Sequence, residues 1–437
     1  MESFRIATRT QRFLRRHRLS RRAALASAGA SLSATVLGRV GLSPMAALAQ
    51  DATPTGAVNA GDNEPPAVPA WMRTPGAPSS PYGERALAEE SIVRLAPNPV
   101  VSFSPLAELH GTLTPNALFY EIHFGGIPAI DPSEHRLLVH GLVERPTLFT
   151  MDDLKRFPSV SVVHFLECAG NSFSEWTEAS MSPTVQLSHG WTSSAEWTGV
   201  PIATVLRDVG IKPGAGWLLA EGADAAGLNR SVPTAKAMAD GLLVYAANGE
   251  DLRPSQGYPL RLVLPGFEGN MNVKWLRRLK IGAEPWHTRW DTPYYGDLMP
   301  DGTAREFTFI MEAKSVITFP SGGQHLPGPG FVEISGLAWS GRGRVARVEV
   351  SGDGGQSWTA ATLQEPVLPM AWTRFRLPWM WDGQATRLQS RAIDETGYVQ
   401  PTIAQLVEAR GVNSFYHFNG IQTWNIAADG EVSNVYA

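Results

Sequence analysis

Phe165-Leu166-Glu167-Cys168-Ala169-Gly170-Asn171 carries the only cysteine in 437 residues. It continues Ser161-Val162-Val163-His164-Phe165-Leu166, a β-rich run that predicts a strand, so Cys168 is expected at a strand end or in the loop after it. A lone cysteine has no partner for an intrachain disulfide. Two readings remain: a small buried apolar residue, or a thiolate serving as nucleophile or metal ligand.

Working outward, Asp152 to Phe157 after Thr150 predicts a helix start, and Thr198-Gly199-Val200-Pro201 leads into a helix at Ile202 to Leu206 that closes at Gly210. Leu242 to Tyr245 and Leu260 to Leu264 predict further strands, giving a mixed α+β domain over 91–304. Beyond about Arg305 the texture changes. Val332 to Trp339 and Val345 to Val350 alternate with the period of half-buried strands, and Asp353-Gly354-Gly355 signals a tight hairpin. This pattern predicts an immunoglobulin-like β-sandwich lacking the usual cysteine pair, running to about Arg410 and followed by a tail to 437.

Of the 37 Lys and Arg, nine fall in the first 49 residues, against one acid, Glu2. The run Ser20-Arg21-Arg22, a modestly apolar stretch to Val40 and Ala47-Leu48-Ala49 predict a twin-arginine signal over 1–49, export of a folded protein by the Tat route, and a periplasmic location. A flexible lead over 50–90 is expected from its Pro, Ala and Gly content. Removing the signal leaves 28 bases against 40 acids, a net charge of −12 that argues against nucleic acid. No segment is long and apolar enough to predict a membrane span.

Six blocks together resemble the sulfite oxidase family of molybdoenzymes: Phe165 to Asn171, Glu196 to Pro201, Arg230-Ser231-Val232-Pro233, Asn248 to Leu252, Gly257 to Gly266 and Val273 to Leu276. Asp297 to Gly302 and the tail from Ser390 to Val435 are most similar to the branch that holds the molybdenum subunit of the Sox thiosulfate-oxidation system, a sulfane or sulfite dehydrogenase. The resemblance implies molybdenum held by one pyranopterin dithiolene and by the Cys168 thiolate. It implies Arg261 and Lys274 on the cofactor's phosphate, Ser231 on the pterin, and His123 as a further cofactor contact. It also implies a tyrosine close to the metal, Tyr295 with Tyr294 as the alternative, a pocket wall at Trp191, and a second-domain arginine at Arg374 or Arg376 that attracts anionic substrate.

Departures from the family pattern accompany these matches. Ile122 and Phe124 stand where an arginine and a histidine are common, and Ser172 and Phe173 follow Cys-Ala-Gly-Asn where sulfite oxidases proper have arginines. A pocket without those cations suits sulfane sulfur presented on a carrier protein better than free sulfite. With one cysteine no Cys-x-x-Cys-His haem site can exist on this chain, and no dinucleotide fingerprint follows a strand, so a separate periplasmic cytochrome c is the expected electron acceptor. The sandwich implies a homodimer or hetero-oligomer. A molybdopterin-dependent sulfoxide reductase and a non-enzymatic exported binding protein are the competing readings; the ten His show no zinc-hydrolase spacing.

Overall fold

The run around Cys168 does form an edge strand, Val160–Glu167, and its partners explain the position. In the computed structural model, which describes residues 67–437, it pairs antiparallel with Thr192–Pro201 along its whole length, from Val160 opposite Gly199 to Glu167 opposite Thr192. Thr192–Pro201 in turn pairs with Leu242–Ala247, which also receives Glu250–Asp251 and Arg261–Val263. A second sheet runs in the order Thr147–Thr150, Arg136–Gly141, Leu276–Gly282, Trp217–Gly222, Asn229–Pro233, and is antiparallel except where Leu276–Gly282 meets Arg136–Gly141.

Local chemistry starts and stops the helices as the sequence predicts. Thr150 caps Met151–Lys155 through a reciprocal bond with Asp153, satisfying two otherwise orphan backbone donors. Ile202–Val209 buries Ile202, Val205, Leu206 and Val209 and ends at Gly210, whose φ of 74° suits a residue without a Cβ. These apolar positions pack with Leu218, Leu243, Leu260, Leu262 and Leu279 into one core lying between the two sheets and their helices.

The sandwich also forms. Lys314–Phe319, Gly330–Trp339, Thr373–Trp381 and Thr362–Leu363 make one sheet; Thr359–Ala360, Val345–Ser351, Thr386–Asp394, Thr423–Ile426 and Val432–Val435 make the other. Asp353 sits in the expected hairpin and accepts bonds from the backbone N–H of Gln356 and Ser357, while Val350 pairs with Thr359 across it. The sandwich does not end near Arg410. After the helix Ile403–Arg410 the chain returns as Thr423–Ile426, in register with Thr386–Gln389, and then Val432–Val435, because Trp424 and Ile426 supply apolar surface that the second sheet buries.

Residues 93–437 form one compact unit; residues 67–92 belong to a separate one, nearly all exposed, with short 3-10 turns at Ala70–Met72 and Leu87–Glu89. The export signal and the first part of the lead lie outside the described residues. Among the described residues no helix is long and apolar enough to cross a membrane.

Two buried histidines fix a pH response. Burial holds His189 well below the ordinary 6.5, with Lys314 adding to the effect, and burial also lowers His164. Below about 6.5 the unfolded chain therefore takes up protons that the folded chain refuses, so stability is full at neutral pH and declines as pH falls through the acid range. Denaturant midpoints measured between pH 8 and 5 should drop with acidification, and His189→Gln should flatten that slope.

Candidate active site

Glu167, the last residue of its strand, is fully buried and fixes the loop that follows. Its Oε1 accepts from Lys314 Nζ at 2.7 Å and from Asn171 Nδ2 at 2.9 Å, and its Oε2 accepts from Trp339 Nε1 at 2.7 Å. Lys314 and Trp339 come from the sandwich, so one carboxylate joins the cysteine loop to the second domain. Cys168 N–H donates to the Trp191 carbonyl at 2.9 Å, and Asn171 Oδ1 accepts from Trp191 N–H at 3.0 Å. Burial pushes the Cys168 thiol up to about 12, with Glu268 and Glu167 adding to the shift against the Gly170 amide and Lys314. A metal cation is the kind of partner that displaces such a proton. Among the described residues no group of three His, Cys, Asp or Glu side chains is arranged to hold a bare ion, so a metal at Cys168 must draw its remaining ligands from a cofactor.

Cys168 opens into a cavity lined by Tyr120, Ile122, His123, Phe124, Asp224, Gln256, Arg261, Asn270, Asn272, Lys274, Trp275 and Tyr295. Five of the expected site residues, His123, Cys168, Arg261, Lys274 and Tyr295, thus share one crevice. Arg261 donates to the Gln256 and Asn272 carbonyls at 2.9 and 3.2 Å, lies over the Trp197 ring at 5.0 Å, and leaves its buried Nε without a partner. Lys274 donates to the Ile122 and Ser255 carbonyls at 3.0 Å. Burial, assisted by Arg261, draws Lys274 down to about 7, and burial draws Arg261 to about 10. A buried guanidinium beside a half-buried ammonium, with no carboxylate in ion-pair contact with either, is costly by itself and is relieved by an anion. That requirement, the orphaned Arg261 Nε, the buried unpartnered Nδ1 of His123 and a thiol at the far end fit a molybdopterin, phosphate at Lys274 and metal at Cys168.

Tyr295 is held on several sides. Its ring centroid lies 4.8 Å from the Arg230 guanidinium carbon, 5.4 Å from the Tyr416 ring and 6.4 Å from Trp290. Burial raises its phenol well above 10, with charge at Tyr416 and Cys168 contributing, so it stays a proton donor. Arg230 is fully buried and neutralised by Asp291 at 2.7 Å and Glu268 at 3.3 Å, and Glu268 also meets His417 Nε2 at 3.1 Å.

The remaining three expected residues stand elsewhere. Trp191 is outside the cavity lining, stacked between Phe103 at 4.9 Å and Phe173 at 5.4 Å beside the Cys168 loop. Ser231 faces away: its Oγ accepts from Trp286 N–H at 3.0 Å, while its strand neighbour Arg230 faces the site. Arg374 is not a substrate lure. Its guanidinium is spent on the Leu109 and Gly111 carbonyls at 2.9 and 2.8 Å and on Ser335 Oγ at 3.1 Å; the alternative, Arg376, pairs with Glu333 and Gln364. Reading the sequence missed Glu167, Arg230, Glu268, Tyr416 and His417. For Glu167 and Arg230 a signal existed, since a charge inside an apolar run needs a buried partner.

Residues 124–290 match the oxidoreductase molybdopterin binding domain, and residues 305–423 match the Mo-co oxidoreductase dimerisation domain. Mitochondrial sulfite oxidase of Mus musculus is 32% identical over 386 residues, spanning 82% of this chain and 69% of that protein. The chain belongs to the sulfite oxidase family. Its fold is likewise similar to the crystal structure of the sulfane dehydrogenase SoxCD from Paracoccus pantotrophus, with 46% identity and a TM-score of 0.83 over 85% of this chain and 98% of that one. NADH nitrate reductase 2 of Phaseolus vulgaris is 33% identical over 67% of this chain but only 36% of its own length. As a family member the protein is a molybdenum oxidoreductase with a molybdopterin cofactor, which sets aside the binding-protein reading.

Cys168→Ser should keep the fold, because the buried volume hardly changes, yet abolish turnover; activity above a tenth of wild type would remove Cys168 from the chemistry. Lys274→Ala should lower cofactor occupancy, read as molybdenum per chain together with pterin fluorescence after release. Full occupancy would place the phosphate elsewhere.

Proposed function

We propose that the protein is a periplasmic sulfane dehydrogenase, exported folded by the Tat route, that oxidises sulfane sulfur borne on a carrier protein and passes electrons to a cytochrome c. The observation that carries this reading is the character of the mouth beside Cys168. Ile122 and Phe124 line the cavity where family members have cations, and Phe173 stacks on Trp191 and Phe415 directly after the cysteine loop. Arg374 is committed to backbone carbonyls, and Arg230 is already neutralised by two carboxylates. With Arg261 and Lys274 engaged by the cofactor's phosphate, a free sulfite dianion entering here would lose its hydration without meeting a further unpaired arginine, whereas a neutral or singly charged sulfur on a protein arm loses little.

Bound at Cys168, the molybdenum cofactor supplies two-electron oxidation of sulfur with oxygen from water. The chain's residues do the rest. Arg261 and Lys274 hold the anionic end of the cofactor, Cys168 donates the thiolate, and Tyr295 holds a proton at its phenol beside the reacting sulfur. The acidic surface suits docking to a basic face of the cytochrome, and the sandwich supports assembly as a homodimer or hetero-complex.

Cytochrome c reduction by holoenzyme should be rapid with a thiosulfate-loaded carrier and slow with sulfite. Brisk turnover of free sulfite would instead make the enzyme an ordinary sulfite dehydrogenase. Ile122→Arg should raise kcat/KM for sulfite by about tenfold or more, the scale expected when one cation meets an anion in a dry pocket, and Tyr295→Phe should lower kcat with little change in KM.

A further inference from the structure

We infer that Tyr416 is a positioning residue for Tyr295, brought to the active site by a strap over residues 411–420 that runs from the helix Ile403–Arg410 back into the sandwich. The inference rests on the reading of Tyr295 as the phenol that serves the reaction.

The strap is fastened to the catalytic domain at separate points. At its start Arg410 Nη1 bonds Asp297 Oδ2 at 2.9 Å, and Ser414 Oγ donates to Asp297 Oδ1 at 3.4 Å, so a carboxylate two residues past Tyr295 is fixed from the sandwich side. At its other end His417 N–H donates to the Ala169 carbonyl at 2.8 Å, one residue past Cys168, and His417 Nε2 meets Glu268. His417 has φ of +58°, a left-handed conformation that is costly for a non-glycine residue and persists only where the surroundings enforce it. Between these anchors the Tyr416 hydroxyl donates to the Tyr294 carbonyl, and its ring packs 5.4 Å from Tyr295.

Tyr294 ends a short π-helix, Trp290–Tyr294, that contains Pro293, and Tyr295 follows it at φ −119° and ψ 26°. The bonds at the start of this segment run back to Thr288, from Asp291 N–H and Thr292 N–H, and lie at the end away from Tyr295. The Tyr416 hydroxyl supplies one at the carbonyl of the peptide that joins Tyr294 to Tyr295. Tyr416 is not among the residues lining the cavity and Tyr295 is, so it acts through Tyr295. The second domain thus contributes to catalysis by aiming a phenol.

The test is a double-mutant cycle on holoenzyme, with molybdenum content and far-UV circular dichroism verified for each variant. Tyr416→Phe, which keeps the ring and removes the hydroxyl, should lower kcat about tenfold at near-normal KM, because small misplacement of a reacting group is expensive. Tyr295→Phe/Tyr416→Phe should be no slower than Tyr295→Phe alone. A Tyr416→Phe enzyme within twofold of wild type, or two losses that multiply, would overturn the inference. Tyr295→Phe turning over at the wild-type rate would sink the reading of Tyr295 and this inference together, whereas a slow Tyr295→Phe beside a fast Tyr416→Phe sinks the inference alone.

Discussion

The Glu167 carboxylate is the point on which this structure turns. Its two oxygens serve Lys314, Asn171 and Trp339, all out of water, and it immediately precedes Cys168. A buried ion pair with its lone pairs filled contributes modestly to stability, but stripping away one partner leaves a bare charge at a cost of about 3 to 5 kcal/mol. The pair therefore specifies geometry more than it adds strength. It sets where the strand ends, and through Asn171 and the Trp191 backbone it sets how the thiolate is presented. Because Lys314 and Trp339 lie on sandwich strands, the cysteine loop and the second domain adopt their positions together.

The crevice beyond Cys168 has a charge distribution that makes sense only with its cofactor in place. At one end stand the buried Arg261 and the half-buried Lys274 with no carboxylate in ion-pair contact; at the other, burial holds the Cys168 thiol protonated, with Glu268 and Glu167 adding to the effect. Anionic phosphate at the first end and a metal cation at the second reverse both penalties. Beside the Cys168 loop, outside the cavity lining, Phe103, Trp191, Phe173 and Phe415 form successive stacked pairs.

Much of the fold was readable from local pattern. The strand at Val160–Glu167 is legible because branched and aromatic residues crowd it, and the helix at Ile202–Val209 because Gly210 stops it. That Arg261 and Lys274 share a cavity with Cys168 was legible through their apolar neighbourhoods and the family blocks. Ser231 was misplaced by the parity of a strand: Arg230 and Ser231 are adjacent in sequence and point to opposite faces, so the motif marks the right strand and leaves the facing side chain open. Arg374 was misplaced because its partners are carbonyls at Leu109 and Gly111, more than 260 residues earlier, and carbonyls leave no mark in a sequence. The strap was invisible for a related reason. Its segment around Phe415 and His417 has neither helical nor strand periodicity, and the contacts that fasten it, to Tyr294, Asp297, Ala169 and Glu268, are distant in sequence.

The C-terminal strand carries a consequence for biogenesis. Asn434 donates to Glu175 Oε2 and to the Ser182 carbonyl, joining residues 259 positions apart, and the strand that holds it completes the second sandwich sheet. A ribosome delivering this chain presents the cysteine loop long before the segments that brace it. During that interval the loop lacks Lys314, Trp339 and His417, and the segment just after it lacks Asn434. The order of synthesis thus separates the residue that would hold the metal from the residues that orient it.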